Sequence, residues 1–245
     1  MPKNPLKLKI GYLYPDILQS PCDRANIEVF TKRCKWRDID VQVCEINAHD
    51  RIISASKYDF YYIGGSNTEA MNYCLKHLKY NEDTLRIATL ALVPMLAINC
   101  GYQLIGNYFQ PHNKAQIEGI KLLNINSIAG KKFRYGNVVG SCNFLSKKVI
   151  VGFENHTMTT HLFENTTPFL TLQKGFGNNK DKTEGARFNN IIGTYLISPI
   201  FAQNPNFCDF YIATALRIKY KCKIPLTRLC DDIEWYSHDY IMNLK

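Results

Sequence analysis

The chain has 245 residues, 46% of them apolar and 21% charged, a composition typical of a globular protein with one large core. It shows neither a signal-peptide core near its start nor an apolar run long enough to cross a bilayer, so we expect a cytoplasmic protein without a membrane span. The formal net charge of +9 comes from scattered lysines and arginines, which favours a solvated basic surface over a nucleic-acid interface.

Cysteine usage indicates a reducing environment. The nine cysteines are an odd number, and no two of them are spaced C-x-x-C. Several lie inside apolar periodic segments, where buried thiols are common. The sequence therefore predicts reduced thiols, no disulfide framework, no metal site and no cofactor.

The first hundred residues alternate strand and helix patterns. Asp23 is predicted to cap a helix that runs from about Arg24 to Cys34. The remaining predicted elements of this half are strands at 6–13, 41–46, 58–63 and 94–98 and helical stretches at 68–80 and before Pro94. Such an order is typical of a mostly parallel sheet covered by helices.

Two glycine-bearing turns follow strands of this predicted sheet. Gly64-Gly65-Ser66 follows one strand, and Asn99-Cys100-Gly101 breaks another sharply into a helical turn. A strand-to-helix break of this kind lifts one side chain above a sheet, as in a nucleophile elbow. Because ligands bind beyond the carboxyl ends of parallel strands, the two turns could form an oxyanion site, although tight βα turns alone would also explain the glycines.

After Gln110 the pattern changes to short strands separated by turns. We expect strands at 118–126, 133–142, 148–154, 169–173 and 191–196 and a helix at 206–220. We expect one domain over residues 1–225 and a C-terminal helix or arm over 226–245. The aromatic residues Trp235, Tyr236 and Tyr240 of this arm would pack on the domain or on a partner.

Ordered matches along residues 8–220 resemble one known family. They include Leu13-Tyr14-Pro15-Asp16, Asp23-Arg24-Ala25-Asn26, Ile63-Gly64-Gly65, Gly152-Phe153-Glu154-Asn155-His156, Gly177-Asn178-Asn179 and Ile192-Gly193-Thr194-Tyr195-Leu196. The chain resembles the GatD-type glutaminase subunits of lipid II isoglutaminyl synthase, within the CobB/CobQ-like class I glutamine amidotransferases. The resemblance implies an α/β fold of three α/β/α layers, flavodoxin-like, with a mostly parallel central sheet. It also implies glutamine as substrate and a heterodimer with a MurT-like, ATP-dependent Mur ligase that amidates a peptidoglycan precursor.

The positions of the family's reacting groups differ in this chain. The family's elbow reads A-I-C-G-G-Y-Q with the first cysteine as nucleophile, and ungapped alignment puts Asn99 there and moves the only thiol to Cys100. The family's histidine, in T-Y-L-H-G-P, corresponds to Ile197, which cannot transfer a proton. An arginine of the family is matched one place away, by Arg134. The resemblance implies substrate-side roles for Gly64, Gly65, Ser66, Gln103, Arg134, Asn155 and His156.

Physical reasoning favours loss of the chemistry over its relocation. An elbow residue has a positive φ, which asparagine tolerates better than most residues. Cys100, one residue further along a helix, would point about 100° away from the original site. We therefore expect a degenerate GatD-like subunit that acts as a binding or scaffolding partner. An active glutaminase with Cys100 as nucleophile is the alternative, and a nucleic-acid-binding protein is a remote third.

Overall fold

The computed structural model describes residues 5–18, 20–65 and 68–244. The elements of the first half are β1 (Leu6–Leu13), α1 (Pro21–Lys35), β2 (Ile39–Ile46), β3 (Phe60–Ile63), α2 (Thr68–Tyr80), α3 (Glu82–Leu90), β4 (Met95–Ile98), α4 (Cys100–Leu104) and β5 (Tyr108–Gln110). Those of the second half are β6 (Ile117–Glu118), β7 (Ile125–Ser141), β8 (Val149–Leu162), β9 (Leu170–Lys174), β10 (Thr183–Glu184), β11 (Ala186–Phe188), β12 (Ile191–Thr194), α5 (Ile200–Gln203), α6 (Pro205–Tyr220) and α7 (Asp232–Asn243).

The central sheet has the strand order β2-β1-β3-β4-β12-β11 in the described part of the chain. All neighbouring pairs are parallel except β11 with β12, which confirms the prediction of a mostly parallel sheet. The chain adds β2 on one side of β1 and then β3, β4 and β12 on the other side. This change in the order of the strands, between β1 and β3, makes it a doubly wound sheet of the flavodoxin type. The carboxyl ends of β3, β4 and β12 therefore meet at one edge of the sheet.

Helices cover both faces of the central sheet, because alternate strand residues point to opposite sides. In β3, Phe60 and Tyr62 belong to the core cluster that contains α1, α5 and α6. Tyr61 and Ile63 belong to the cluster that contains α2, α3 and α4. Two cores on opposite faces give the three α/β/α layers that the family resemblance implies.

A second sheet, which the sequence did not predict as a unit, has the order β10-β9-β7-β5-β6, with β8 paired to β7. The long strands β7 and β8 form an antiparallel hairpin, whose register shifts between Ala129 and Arg134. The prediction of a turn at Ala129-Gly130 was wrong, since this segment is a bulge inside one strand. The predicted strand at 118–126 was also wrong, because β6 ends at Glu118 and β7 begins at Ile125.

The start of α1 differs from its prediction as well. The helix begins at Pro21 after Ser20, and proline is favoured at the first helical position because it has no N–H to leave unpaired. Asp23 is therefore not the N-cap and lies inside the first turn, where it is buried. At the other end of the chain, α7 covers most of the arm that was predicted after residue 225.

In the ranges that the structure describes, no helix combines the length and the apolar character that crossing a bilayer requires.

Candidate active site

Asn99 occupies a strained turn between β4 and α4. Its φ of 51° and ψ of −107° lie outside the regions that most residues with side chains adopt, and such a conformation costs on the order of 1–3 kcal/mol. The positive φ agrees with the expectation for an elbow residue. The side chain of Asn99 is half-buried at the carboxyl edge of the sheet, at the position that the sequence resemblance aligns with a nucleophile.

The turn after β3 lies directly against this elbow. The Gly101 N–H donates to the Gly64 carbonyl at 2.9 Å. A Cβ built on Gly65 would be 2.7 Å from the Cβ of Asn99, so a side chain larger than glycine does not fit there. The two glycine-bearing turns thus meet as predicted, and Ser66, the third residue of the first turn, lies outside the described residues.

A buried carboxyl group holds the Gly65 turn. The Gly65 N–H donates to Asp23 Oδ2 at 3.0 Å, and the Tyr62 hydroxyl donates to Asp23 Oδ1 at 2.7 Å. Burial raises the pKa of Asp23 to about 6, against the opposing effect of these bonds. The N–H groups of this turn were expected to be available to an oxyanion, whereas the Gly65 N–H is already bonded to Asp23.

Ile197 lies at the same edge as Asn99. The Asn99 N–H donates to the Thr194 carbonyl at 2.8 Å, which extends the pairing of β4 with β12. Three residues later the Ile197 N–H donates to the Phe153 carbonyl of β8 at 2.9 Å. The side chain of Ile197 is half-buried and packs on a core cluster. The two positions that correspond to the family's nucleophile and histidine therefore carry an amide and an aliphatic group.

Cys100 belongs to the core. It is 4% exposed and shares a hydrophobic cluster with Met71 and Cys74 on the face of the sheet that α2 covers. Gln103, one helical turn after the elbow, is also buried, and its N–H donates to the Asn99 carbonyl at 3.2 Å. The Gln103 Oε1 has no hydrogen-bond partner among the described residues.

A second group of predicted residues lies on β7 and β8. Arg134 is buried, and its guanidinium donates to the Gly177 and Asn178 carbonyls at 2.6 and 2.5 Å. Glu154 accepts the N–H groups of Phe176 and Gly177 at 2.5 and 3.0 Å. We call the group formed by Arg134, Glu154, His156 and residues 176–178 the hairpin edge.

The carboxylate of the hairpin edge is charged. Burial alone would raise the pKa of Glu154, but the hydrogen bonds from His156, Phe176 and Gly177 outweigh it and lower the pKa. The His156 Nε2 lies 3.3 Å from Glu154 Oε2, and its ring stacks on Tyr195 with centroids 3.9 Å apart. Burial lowers the pKa of His156, although Glu154 opposes this effect. His156 is thus held by Glu154 at Nε2 and by Tyr195 against its ring, while its buried Nδ1 has no hydrogen-bond partner among the described residues.

The predicted set is divided between the two faces of β8. Glu154 and His156 are buried on one face, while Asn155 between them is exposed, on the face that also carries Phe153. His161, also on β8, is exposed, and its Nδ1 lies 3.3 Å from the amide nitrogen of Asn179.

Sequence reasoning did not assign roles to the buried carboxyl groups. Glu184 is fully buried, and it accepts the Thr194 hydroxyl at 2.9 Å and the Tyr195 N–H at 2.8 Å. Burial raises the pKa of Glu184 to about 8. We call Gly65, Asn99, Glu184 and Ile197 the elbow edge. Glu154 lies in the family match at 152–156, and Glu184 begins a further match, Glu184-Gly185, so these locations are the signal that would have singled them out.

The described residues include no cluster of three or more histidine, cysteine, aspartate or glutamate side chains that could hold a metal ion.

Comparisons with known proteins agree with this fold. A model of the CobB/CobQ-like glutamine amidotransferase domain matches residues 10–205. The GatD subunit of the glutamine-hydrolyzing lipid II isoglutaminyl synthase of Staphylococcus aureus (strain N315) is 31% identical over 214 residues, which is 87% of this chain and 86% of that one. The corresponding subunit of Streptococcus pneumoniae (strain ATCC BAA-255 / R6) is 26% identical over 223 residues, 91% and 85% of the two chains.

Solved structures of low identity have the same fold. A glutamine amidotransferase superposes with a TM-score of 0.56 at 11% identity, over 84% of this chain and 98% of that one. Another, from Thermotoga maritima, has a TM-score of 0.54 at 14% identity, over 96% and 93% of the two chains.

Proposed function

The chain belongs to the CobB/CobQ-like glutamine amidotransferase family, and from that membership we propose that it is a GatD-like subunit that has lost glutamine hydrolysis. Its role in lipid II amidation is then to bind or support a MurT-like Mur-ligase subunit. What carries the proposal is the state of the elbow edge, where Asn99 and Ile197 stand at the two reacting positions.

The chemistry explains why these two replacements matter. Glutamine hydrolysis by this family needs a thiolate to attack the carboxamide and a base to generate that thiolate. The amide of Asn99 is not a nucleophile of this kind, and the side chain of Ile197 has no atom that accepts a proton. The fold of the turn does not need the thiol, because the backbone at Asn99 has the positive φ of an elbow without one.

The alternative is an active glutaminase with Cys100 as nucleophile. This alternative requires Cys100 to reach a substrate from a core position that is 4% exposed. It also requires a base, and the position that the resemblance aligns with the family's histidine carries Ile197. We therefore favour the degenerate subunit.

The partner follows from the relatives, whose names describe them as subunits of a synthase. A chain that has lost its reacting groups would still have a function if a second subunit binds it.

The proposal extends to the arm at 226–245, which we assign to the same folding unit. Arg33 supports this, since its buried guanidinium donates to Asp231 at 2.6 Å, as does His238, which lies 3.0 Å from the Gln203 carbonyl. Removal of residues 226–245 should then lower the melting temperature of the chain.

A glutaminase assay tests the proposal directly. The purified chain should release no ammonia from glutamine above the protein-free rate, either alone or with the MurT-like subunit, and should bind that subunit. Cys100→Ala is the decisive variant, and Cys74→Ala, a buried thiol of the same cluster, is its matched control. Ammonia release that Cys100→Ala abolishes and Cys74→Ala preserves would establish the alternative instead.

A further inference from the structure

An aromatic surface continues from Ile197 across the hairpin. The Ile197 N–H donates to the Phe153 carbonyl, and the Phe153 ring packs edge-on against Tyr135 with centroids 4.7 Å apart. Phe133 precedes Tyr135 by two residues, in the bulge of β7, and the two side chains are 74% and 65% exposed. Exposed aromatic side chains in a group are unusual on a free surface and are enriched in protein interfaces.

The backbone beneath this surface is fixed. Arg134, between the two exposed aromatic residues, is buried and bonded to the Gly177 and Asn178 carbonyls. Glu154, next to Phe153, accepts two N–H groups of the same loop. A surface that is already ordered loses less conformational entropy when a partner binds.

The charge around the aromatic residues is positive. Lys131 and Lys132 are exposed in the bulge, and residues 129–137 contain no aspartate or glutamate. The whole chain carries a formal net charge of +9. An acidic surface would be attracted to this region and would bind there faster at low salt.

We propose that Lys131, Lys132, Phe133, Tyr135, Phe153 and Ile197, the hairpin patch, form the docking surface for an acidic face of the MurT-like subunit, with pockets for the two exposed aromatic rings. The inference rests on the proposed function and adds to it the surface and the chemistry of its occupant. It also gives Ile197 a role, because an aliphatic side chain extends the apolar surface where a histidine would interrupt it.

A further group of exposed aromatic residues, on α7, lies in an acidic segment. Tyr236 and Tyr240 on α7 are 76% and 61% exposed. The acidic residues of this segment are Asp232, Glu234 and Asp239, in addition to Asp231, which is paired with Arg33. Like charges across an interface disfavour binding, so an acidic face selects the hairpin patch over α7.

Binding of the full-length chain to the purified MurT-like subunit, measured by calorimetry at two salt concentrations, tests the inference. The double variant Phe133→Ala/Tyr135→Ala should bind at least about tenfold more weakly, as expected for interface aromatic residues. Lys131→Glu/Lys132→Glu should weaken binding by a similar factor and remove most of its salt dependence. All these side chains are exposed, so melting temperatures close to that of the wild type will show that the variants fold.

Matched variants on other surfaces complete the experiment. Tyr236→Ala/Tyr240→Ala changes two equally exposed aromatic residues of α7, and Lys76→Glu/Lys79→Glu reverses two exposed lysines of α2; both should bind like the wild type. If the wild type binds and the hairpin variants bind equally well, the inference fails and the proposed function stands. If the wild type does not bind, both fail. Two further outcomes would also overturn the inference. The hairpin variants could lose a dimer of the chain itself, or they could lose binding to anionic lipid vesicles, while in either case they retain binding to the MurT-like subunit.

Discussion

Glu154 and Glu184 are both fully buried, yet their carboxyl groups respond to burial in opposite ways. Glu154, on the hairpin edge, receives two backbone N–H groups and a contact from His156, and its pKa is lowered. Glu184, on the elbow edge, is bonded to one hydroxyl and one N–H, and burial raises its pKa to about 8. The donors that surround a buried carboxyl group therefore decide its charge.

The same contrast holds for the two edges as wholes. The hairpin edge keeps a network of charges that bond to backbone groups. The side chains of the elbow edge are uncharged near neutral pH, because Asn99 and Ile197 cannot ionise and Glu184 holds its proton, whereas Asp23, which bonds to Gly65, loses its proton above a pKa of about 6. Under the proposed function, the chain retains the groups that position a site and lacks the groups that react in it, and the following experiments test this difference.

The largest expected effect is the return of chemistry to the elbow edge. The triple variant Asn99→Cys/Cys100→Gly/Ile197→His restores the family pattern at the elbow and at the histidine position. If only the reacting side chains have changed, ammonia release from glutamine should rise by about 10³-fold over the wild type, since a positioned base alone contributes 10²–10⁴. Release is measured with and without the MurT-like subunit.

A control identifies the source of any activity. The double variant Asn99→Cys/Cys100→Gly keeps Ile197 and has a thiol without the restored base, so its rate should remain near that of the wild type. A triple variant that folds and stays inactive would mean that the pocket has diverged beyond its reacting groups, and the retained elbow would then be geometry alone.

The two buried carboxyl groups should respond differently to replacement by an amide. At pH 7, Glu154→Gln replaces a charged acceptor of two N–H groups and should lower the free energy of unfolding by about 2 kcal/mol. Glu184→Gln can still accept the Tyr195 N–H and donate to the Thr194 hydroxyl, so its cost should be small. Urea unfolding of both variants measures the difference.

The pH dependence gives this comparison a sign. The folded state holds the Glu184 proton up to a pKa of about 8, whereas the unfolded chain loses it near the ordinary value of 4.5. Between these two values the free energy of unfolding of the wild type therefore falls as pH rises, by up to about 1.4 kcal/mol per pH unit. From pH 5 to pH 8 the free energy of unfolding of Glu184→Gln should therefore rise relative to that of the wild type. Glu154 affects the free energy of unfolding in the opposite direction. Because its pKa is lowered in the folded state, its stabilising contribution is complete above pH 4.5 and is lost only at lower pH. Parallel pH profiles for wild type and Glu184→Gln would contradict the neutral elbow edge.

The sequence predicted the elbow edge better than the hairpin edge, for physical reasons. Short apolar runs followed by glycine turns identify parallel strands locally, so the meeting of Gly64 and Asn99 followed from topology. The hairpin edge depends on a bulge near Gly130 and on contacts between Arg134 and residues more than forty positions away. No local pattern encodes such contacts, and the polar bulge resembled an ordinary turn. The burial of Asp23 was missed for a related reason, since an acidic residue near a helix start is usually a cap.

The smallest expected effect concerns the strain that the elbow edge retains. Asn99 has a φ of 51°, which glycine adopts at little steric cost. Asn99→Gly should therefore relieve more strain than it adds in unfolded-state entropy and should stabilise the chain by about 0.5–1 kcal/mol. Asn99→Ala, which keeps a Cβ and loses the polar group, should destabilise it by about 1 kcal/mol. Thermal and urea unfolding of the pair measure these changes against the wild type.

An enzyme holds such strain to present its nucleophile, whereas here the strain persists beside an amide. The close contacts of Gly65 with Asn99 and of Gly101 with Gly64 hold the backbone of the elbow in this conformation. If Asn99→Gly proves less stable than the wild type, the asparagine side chain itself supports the turn, and the elbow edge then depends on a polar contact as the hairpin edge does.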